Sequence, residues 1–329
     1  MLKNLIARAG IKAALSPIAE DMRRVDETIR RELGSGIRRV SEIAEYITGS
    51  GGKRMRPALV LLIAKALGYT GDKAVYLGAV MEILHTATLM HDDVVDESDM
   101  RRGRPTANAR WGNPTAVLVG DFLYTRAFQM MVSTGNLPAM EAIAYAANRL
   151  SEGEVLQMDN AHHPEIGKDR YYEVIERKTA CLFVCAAKIA CSITPCSEQE
   201  RRAVESYALH LGYAFQIADD VLDYAGDSAV TGKNLGADLG EGKVTLPLIV
   251  AMQRAQPADR RLIEEAVRNG DGDFGAISRI LRETGAVEAA RETARGEAAA
   301  GAAALAVLPP SVYKDALLQV IDYTVERNR

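Results

Sequence analysis

The chain has 329 residues, 48% of them hydrophobic, enough apolar mass for a substantial core in one large domain or two ordinary ones. A formal net charge of −4 supplies no global basic field, which argues against nucleic acid as the main partner and means that any anion must be held locally. No uninterrupted apolar run is long enough to span a bilayer, and Cys181, Cys185, Cys191 and Cys196 lack the paired spacing of a zinc site, so they read as small buried apolar residues in a reducing compartment.

The opening MLKNLIARAGIKAALS has basic residues and no acid. Residues 1–20 would suit a weak membrane-surface or transit-like extension, but the acidic amphipathic run EDMRRVDETIRREL follows at once and favours an ordinary first helix. Apolar residues then recur at helical spacing: Leu59, Leu62, Ile63, Ala66 and Leu67; Val80, Ile83, Leu84 and Ala87; Leu118, Phe122 and Leu123. Strand alternation is almost absent. Turn-forming stretches such as GSGGK, LGYTGD, WGNPT, TGNLP, HHPEIG and SITPCS separate the helical ones. The pattern predicts an all-α chain of ten or more helices, with no composition shift to mark a linker, hence a single domain over 1–329. One connection is long, from Ala225 to Lys243, polar and glycine-rich; at that length a loop is usually functional or disordered, and a functional loop is the expectation. The Ala-rich segment from Ala286 to Ala306 predicts a close-packed helix near the end of the same domain.

Two acidic clusters stand out, HDDVVD at 91–96 and ADDVLD at 218–223. In a helix Asp92 and Asp96 share a face, with Asp93 turned away, and Asp219 and Asp223 repeat that geometry beside Asp220. Like charges at this spacing cost an isolated helix about a few tenths of a kcal/mol per pair, so a bound cation would explain them. Hard oxygen donors without a His–Cys set suit magnesium, which commonly bridges carboxylates to substrate phosphates. Each cluster alone is compatible with a solvated charged face; the pair favours metal. Cations for phosphate lie in Arg101 and Arg102, and in GGKRMRP, where Lys53 and Arg56 follow glycines that let backbone approach an anion. Two basic sites and two carboxylate pairs suggest two diphosphates.

The segments GGKRMRPALV, EILHTATLMHDDVVDESDMRRGRPTAN, VLVGDFLYTRAFQMM, EGEVLQM, ERKTACLF, AFQIADDVLDY and GKNLGADLGEGKVTLPL, in that order, resemble the long-chain trans-polyprenyl diphosphate synthases. The resemblance implies an all-helical fold around a deep central cavity, a homodimer in the cytoplasm with at most peripheral membrane contact, and elongation of an allylic diphosphate by isopentenyl diphosphate. A quinone side chain is the implied destination of the product. By position, Asp92 and Asp96 would hold magnesium with support from Asp93, and Asp219 and Asp223 a further ion with Asp220 nearby, roughly two to three ions in all. Arg101, Lys178, Thr179, Gln216, Lys233 and Lys243 match contacts to the allylic diphosphate, Lys178 among the catalytic set. Lys53, Arg56, His85 and Arg102 match the isopentenyl diphosphate site. Helical spacing independently aligns His85 with Asp92 and Gln216 with Asp219; His91 reads as structural.

The implied chemistry ionises the allylic diphosphate, lets the alkene of isopentenyl diphosphate attack, and loses a proton, with the released diphosphate as acceptor. The long loop bearing Lys233 and Lys243, and the terminal VERNR, are candidates to cover the site. Bulky aromatics at the positions of Ala87 and Thr88 give short products in the family, so the small residues here leave the growing chain a path. Phe128 and Met131 are candidates for the tunnel floor or, equally, ordinary core residues. Rival readings are a farnesyl or geranylgeranyl synthase, disfavoured by Ala87 and Thr88; a cyclase, which would not need GGKRMRP; and a non-catalytic regulatory subunit, disfavoured by two intact aspartate motifs.

Overall fold

The computed structural model describes residues 10–49, 51–225 and 236–326. Apolar residues at 3.6-residue spacing form α1 (Ala19–Glu32), α2 (Arg38–Thr48), α3 (Met55–Ala66) and α4 (Lys73–Val95). A two-residue-per-strand hairpin, β1 (Met100–Arg101) and β2 (Arg104–Pro105), leads into α5 (Ala107–Trp111), α6 (Asn113–Ser133) and α7 (Leu137–Asn160). Then follow α8 (Lys168–Ile175), a π-turn (Glu176–Ala180), α9 (Cys181–Ile193) and α10 (Glu198–Ala225). The last third contains α11 (Ala237–Gly240), α12 (Leu246–Arg254), α13 (Pro257–Asn269), α14 (Phe274–Glu283), α15 (Ala286–Ala304) and α16 (Val312–Glu326).

The centre is built around α3 and α4. Leu59 to Ala64 on α3 and Leu77 to Leu84 on α4 are almost wholly buried, Glu82 being the one charged residue among them. α6 lies antiparallel along α4: His91 Nε2 is 3.2 Å from the Val117 carbonyl at one end, and the Tyr76 and Ser133 hydroxyls are 3.3 Å apart at the other. The His91 ring fills the space a Cβ on Gly120 would take, so His91 is structural, as expected. α15 runs along α10, presenting Ala290, Ala294, Ala298 and Gly301 at spacings of four, four and three residues, where small side chains permit close approach.

The segment from Gly10 to Ile18 is helical and buries Ile11, Ala14 and Ile18 in the core, in line with an ordinary first helix; residues 1–9 are outside the described set. The short hairpin escaped notice because two residues per strand cannot display alternation. The long connection contains α11; its residues 226–235, with Lys233, fall outside the described residues, as does the end of VERNR. No helix among the described residues is long and apolar enough to cross a membrane.

Candidate active site

α4 ends at Val95, and Asp96 caps it, its amide donating to the Asp92 carbonyl at 2.8 Å. Burial, Glu154 and Asp96 push the Asp92 carboxyl up to about 7, against the pull of Lys178 and Arg101. Asp93 points away from it and is buried, accepting from Arg101 Nε at 2.5 Å. That ion pair, with Asn108 donating to the Asp93 carbonyl at 3.3 Å, fastens the arginine hairpin to α4. Tyr46 fastens its other side, donating to the Pro105 carbonyl at 2.9 Å beneath the Arg104 guanidinium.

On α10, Asp219 and Asp223 lie one turn apart. Asp223 accepts from the backbone amides of Ala237 and Asp238 at 3.3 and 3.1 Å, so the chain after the long connection closes onto it. Asp220 is buried, accepting from the Tyr171 hydroxyl at 2.5 Å and the Gln216 amide at 2.7 Å; burial and the Asp238 charge nonetheless hold it well above the carboxylate range. Gln216 therefore serves Asp220, four residues on, rather than Asp219 as its spacing suggested. Its amide oxygen is engaged by the Thr179 hydroxyl at 2.7 Å, which turns the amide nitrogen inward.

Lys178 and Thr179 sit in the π-turn, whose extra residue per turn lets two consecutive side chains reach two different helices. Lys178 Nζ is 2.7 Å from Glu154 on α7 while Thr179 reaches α10. Two glycines admit the turn: a Cβ on Gly153 would come within 2.8 Å of the Lys178 amide, and one on Gly212 within 2.5 Å of Ala180 Cα. Lys243 reaches back from beyond α11 to Asp96 at 3.6 Å and to Glu241; burial lowers its pKa, but Asp96, Glu241 and Asp238 outweigh that and raise it. The Lys243 amide donates to the Asp238 carbonyl at 2.8 Å, and the Asp238 amide donates to Asp223, so the segment that closes onto Asp223 also carries the cation that meets Asp96.

The second basic group is also assembled. Lys53 lies 5.9 Å from the Phe215 ring and 5.6 Å from Tyr323, and Arg56 stacks 5.2 Å over Phe183. Burial brings Arg56 down to about 10, opposed mainly by Glu82, and its Nε has no hydrogen-bond partner. His85 Nδ1 is equally orphaned, and burial with Arg56, Arg102 and Arg101 keeps the ring well below its usual range, hence neutral. Arg102 donates to the Gly51 carbonyl and occupies the space beside Gly52, where a Cβ would lie 2.6 Å from its nitrogen. The unpaired Arg56 Nε and His85 Nδ1, with the Arg102 guanidinium held at Gly51 and Gly52, form an arrangement suited to an anion.

The donor chemistry fits a hard divalent cation: carboxylates, one of them kept from ionising by burial and by like charge, which a cation would offset. Among the described residues no three acidic, histidine or cysteine side chains converge on one point. Ala87 and Thr88 are buried, and the Thr88 hydroxyl is satisfied by the His85 carbonyl at 2.9 Å. Further down the α4–α6 pair, Met131 is buried and Phe128 half-buried against the Tyr124 ring, 5.1 Å away.

The family model for polyprenyl synthetase matches residues 37–284. The chain belongs to the polyprenyl synthetase family. Octaprenyl diphosphate synthase of Escherichia coli is 44% identical over 313 residues, 94% of this chain and 97% of that protein. A nonaprenyl diphosphate synthase of Rhodobacter capsulatus is 42% identical over 95% of this chain and 97% of its own length. Among solved structures, the Caulobacter crescentus polyprenyl synthase complexed with calcium and isoprenyl diphosphate superposes with a TM-score of 0.92 at 37% identity, covering 97% of this chain and 98% of that one. A decaprenyl diphosphate synthase from Rhodobacter capsulatus also gives 0.92, at 42% identity over 97% and 99%. This member of the family has the all-α isoprenoid synthase fold and is a prenyltransferase.

Sequence reasoning passed over Glu154, Tyr171, Asp238, Arg54 and Glu82. Glu82 had a visible signal, a lone acid in the apolar run MEIL. Glu154 stands in EGEVLQM, but its pairing with Lys178 joins separate helices and has no local trace.

Proposed function

We propose that this polyprenyl synthetase extends farnesyl diphosphate with successive isopentenyl diphosphates to an all-trans product of octaprenyl length, for a quinone side chain. The observation that carries the reading is the meeting of Asp92 and Asp96 at the end of α4 with Lys178 and with Lys243, whose own segment closes onto Asp223, beside the group of Lys53, Arg56, His85 and Arg102. Ala87 and Thr88, both small and buried, precede the aspartates on α4.

Asp92 and Asp96 would hold magnesium from one wall and Asp219 and Asp223 from the other, roughly two to three ions, while Asp93 and Asp220 orient the motifs through Arg101, Gln216 and Tyr171. Bound magnesium supplies Lewis-acid stabilisation of the departing diphosphate. Lys178, Thr179, Gln216, Arg101, Lys233 and Lys243 would steady the allylic diphosphate with preorganised donors. Lys53, Arg56, Arg102 and neutral His85 would hold isopentenyl diphosphate with its alkene toward the allylic carbon. Exclusion of water protects the carbocation; the released diphosphate takes the proton. Ala87 and Thr88 would open the path for the chain, with Phe128 and Met131 toward its floor.

We read the chain as one domain acting as a cytoplasmic homodimer with at most peripheral membrane contact. Exposed Val117, Leu118, Val132, Leu137, Tyr145 and Met158 concentrate on α6 and α7, which favours a second copy there. The test incubates the purified chain with magnesium, labelled isopentenyl diphosphate and farnesyl diphosphate, and sizes the dephosphorylated products. A ladder ending near eight isoprene units is expected; arrest at three or four, or no elongation, would overturn the reading.

A further inference from the structure

Behind the cations assigned to isopentenyl diphosphate stands a buried anion. Glu82 lies midway along α4, 4% exposed, between Met81 and Ile83. A carboxylate so placed must be paired or neutralised. Its partner is Arg54, whose Nη1 is 2.7 Å from Oε1, with side-chain exposures of 15% and 5%. The same guanidinium reaches Asp26 on α1 at 3.3 Å and donates to the Thr48 carbonyl at the end of α2 at 2.9 Å, so one side chain ties α1, α2 and α4 together.

The backbone of Arg54 is left-handed, φ 48° and ψ 39°, at the N-terminus of α3. A non-glycine residue holds that conformation at a cost and keeps it only where its surroundings over-determine it; the three side-chain anchors do so. The turn lies directly between Lys53 and Arg56. Glu82 is also the leading opposing charge for Arg56 and Arg102, neither of which has an ion-pair partner among the described residues.

We propose that Glu82 is a positioning residue for isopentenyl diphosphate: through Arg54 it holds the strained turn that aims Lys53 and Arg56 into the pocket, without touching substrate. This rests on the pocket assignment made above. In the full chain with magnesium, Glu82→Gln is expected to raise KM for isopentenyl diphosphate about tenfold, as small misplacements of binding groups do, and to leave KM for farnesyl diphosphate within about twofold. Arg54→Gly accepts the left-handed turn without strain but lacks the guanidinium; it should act alike, and the double variant should be no worse than either single one. Because it acts on the same contact, it carries the test if Glu82→Gln fails to fold.

A fall in KM would mean that only a negative charge near the pocket had been removed. Equal rises for both substrates, or none, would mean that the pair merely joins helices. Each result overturns the proposal. Failure of the unaltered chain to elongate would instead sink the pocket assignment, and it is visible before any variant is made.

Discussion

Asp92 and Asp220 are carboxyls that burial and like charges make reluctant to ionise, and this has a measurable sign in the metal-free chain. Asp92 moves from 3.8 to about 7 on folding, and Asp220 moves in the same direction. Between those values these two groups bind more protons in the folded chain than in the unfolded one, so their contribution to stability is greatest at low pH and falls as pH rises toward 7. Thermal unfolding in chelator should show Tm dropping from pH 5 to pH 7.5; Asp92→Asn should flatten that slope, and magnesium should recover Tm at pH 7.5. A slope of opposite sign would contradict the assigned environment of Asp92. Ala87 makes a second prediction. It is fully buried, so a phenyl ring there must enter the path of the product or overpack the helices, at about 1–3 kcal/mol. Ala87→Phe should shorten the products while isopentenyl consumption continues; unchanged product length would remove Ala87 from the path. The aspartates were legible because a four-residue spacing means one helix face wherever the helix sits. Glu154 and Tyr171 were not, since each acts on a residue from another helix.

Helix α15 matches the segment that alanine content marked out to within a few residues at its end, and α4 contains the spaced apolar residues from Val80 to Ala87. The π-turn is different, because ERKTA has nothing that distinguishes it from a regular helix. It exists because Gly153 and Gly212 leave room for its bulge from two sides. Gly212→Ala would place a methyl 2.5 Å from backbone, which cannot move as a flexible side chain can. It should destabilise the chain by about 1–3 kcal/mol and weaken binding of the allylic diphosphate more than of isopentenyl diphosphate, because Lys178 and Thr179 ride on the turn. Thermal unfolding and the two KM values check this; a stability loss with both KM values unchanged would reduce the turn to packing.

The surface of the molecule carries its own expectation. Seven of the twelve large exposed hydrophobic residues among those described lie on α6 and α7, including Leu118 at 68% exposure. Leu118→Asp alters an exposed side chain and should cost the monomer little, within about 0.5 kcal/mol. Across a subunit interface the same carboxylate would be buried unpaired, so sedimentation should shift from dimer to monomer. A dimer that survives would move the interface elsewhere. Helical class, the two aspartate motifs, the GGKRMRP and RRGR cations and the small residues below Asp92 were all readable along the chain, because each depends on composition or on spacing within a single helix. The pairing of Lys178 with Glu154, the closure of Lys243 onto Asp96, the diversion of Gln216 to Asp220 and the Arg54–Glu82 anchor became visible only in the folded chain. Each joins residues 24 to 147 positions apart or depends on which way a side chain turns between two packed helices, and no local pattern encodes that.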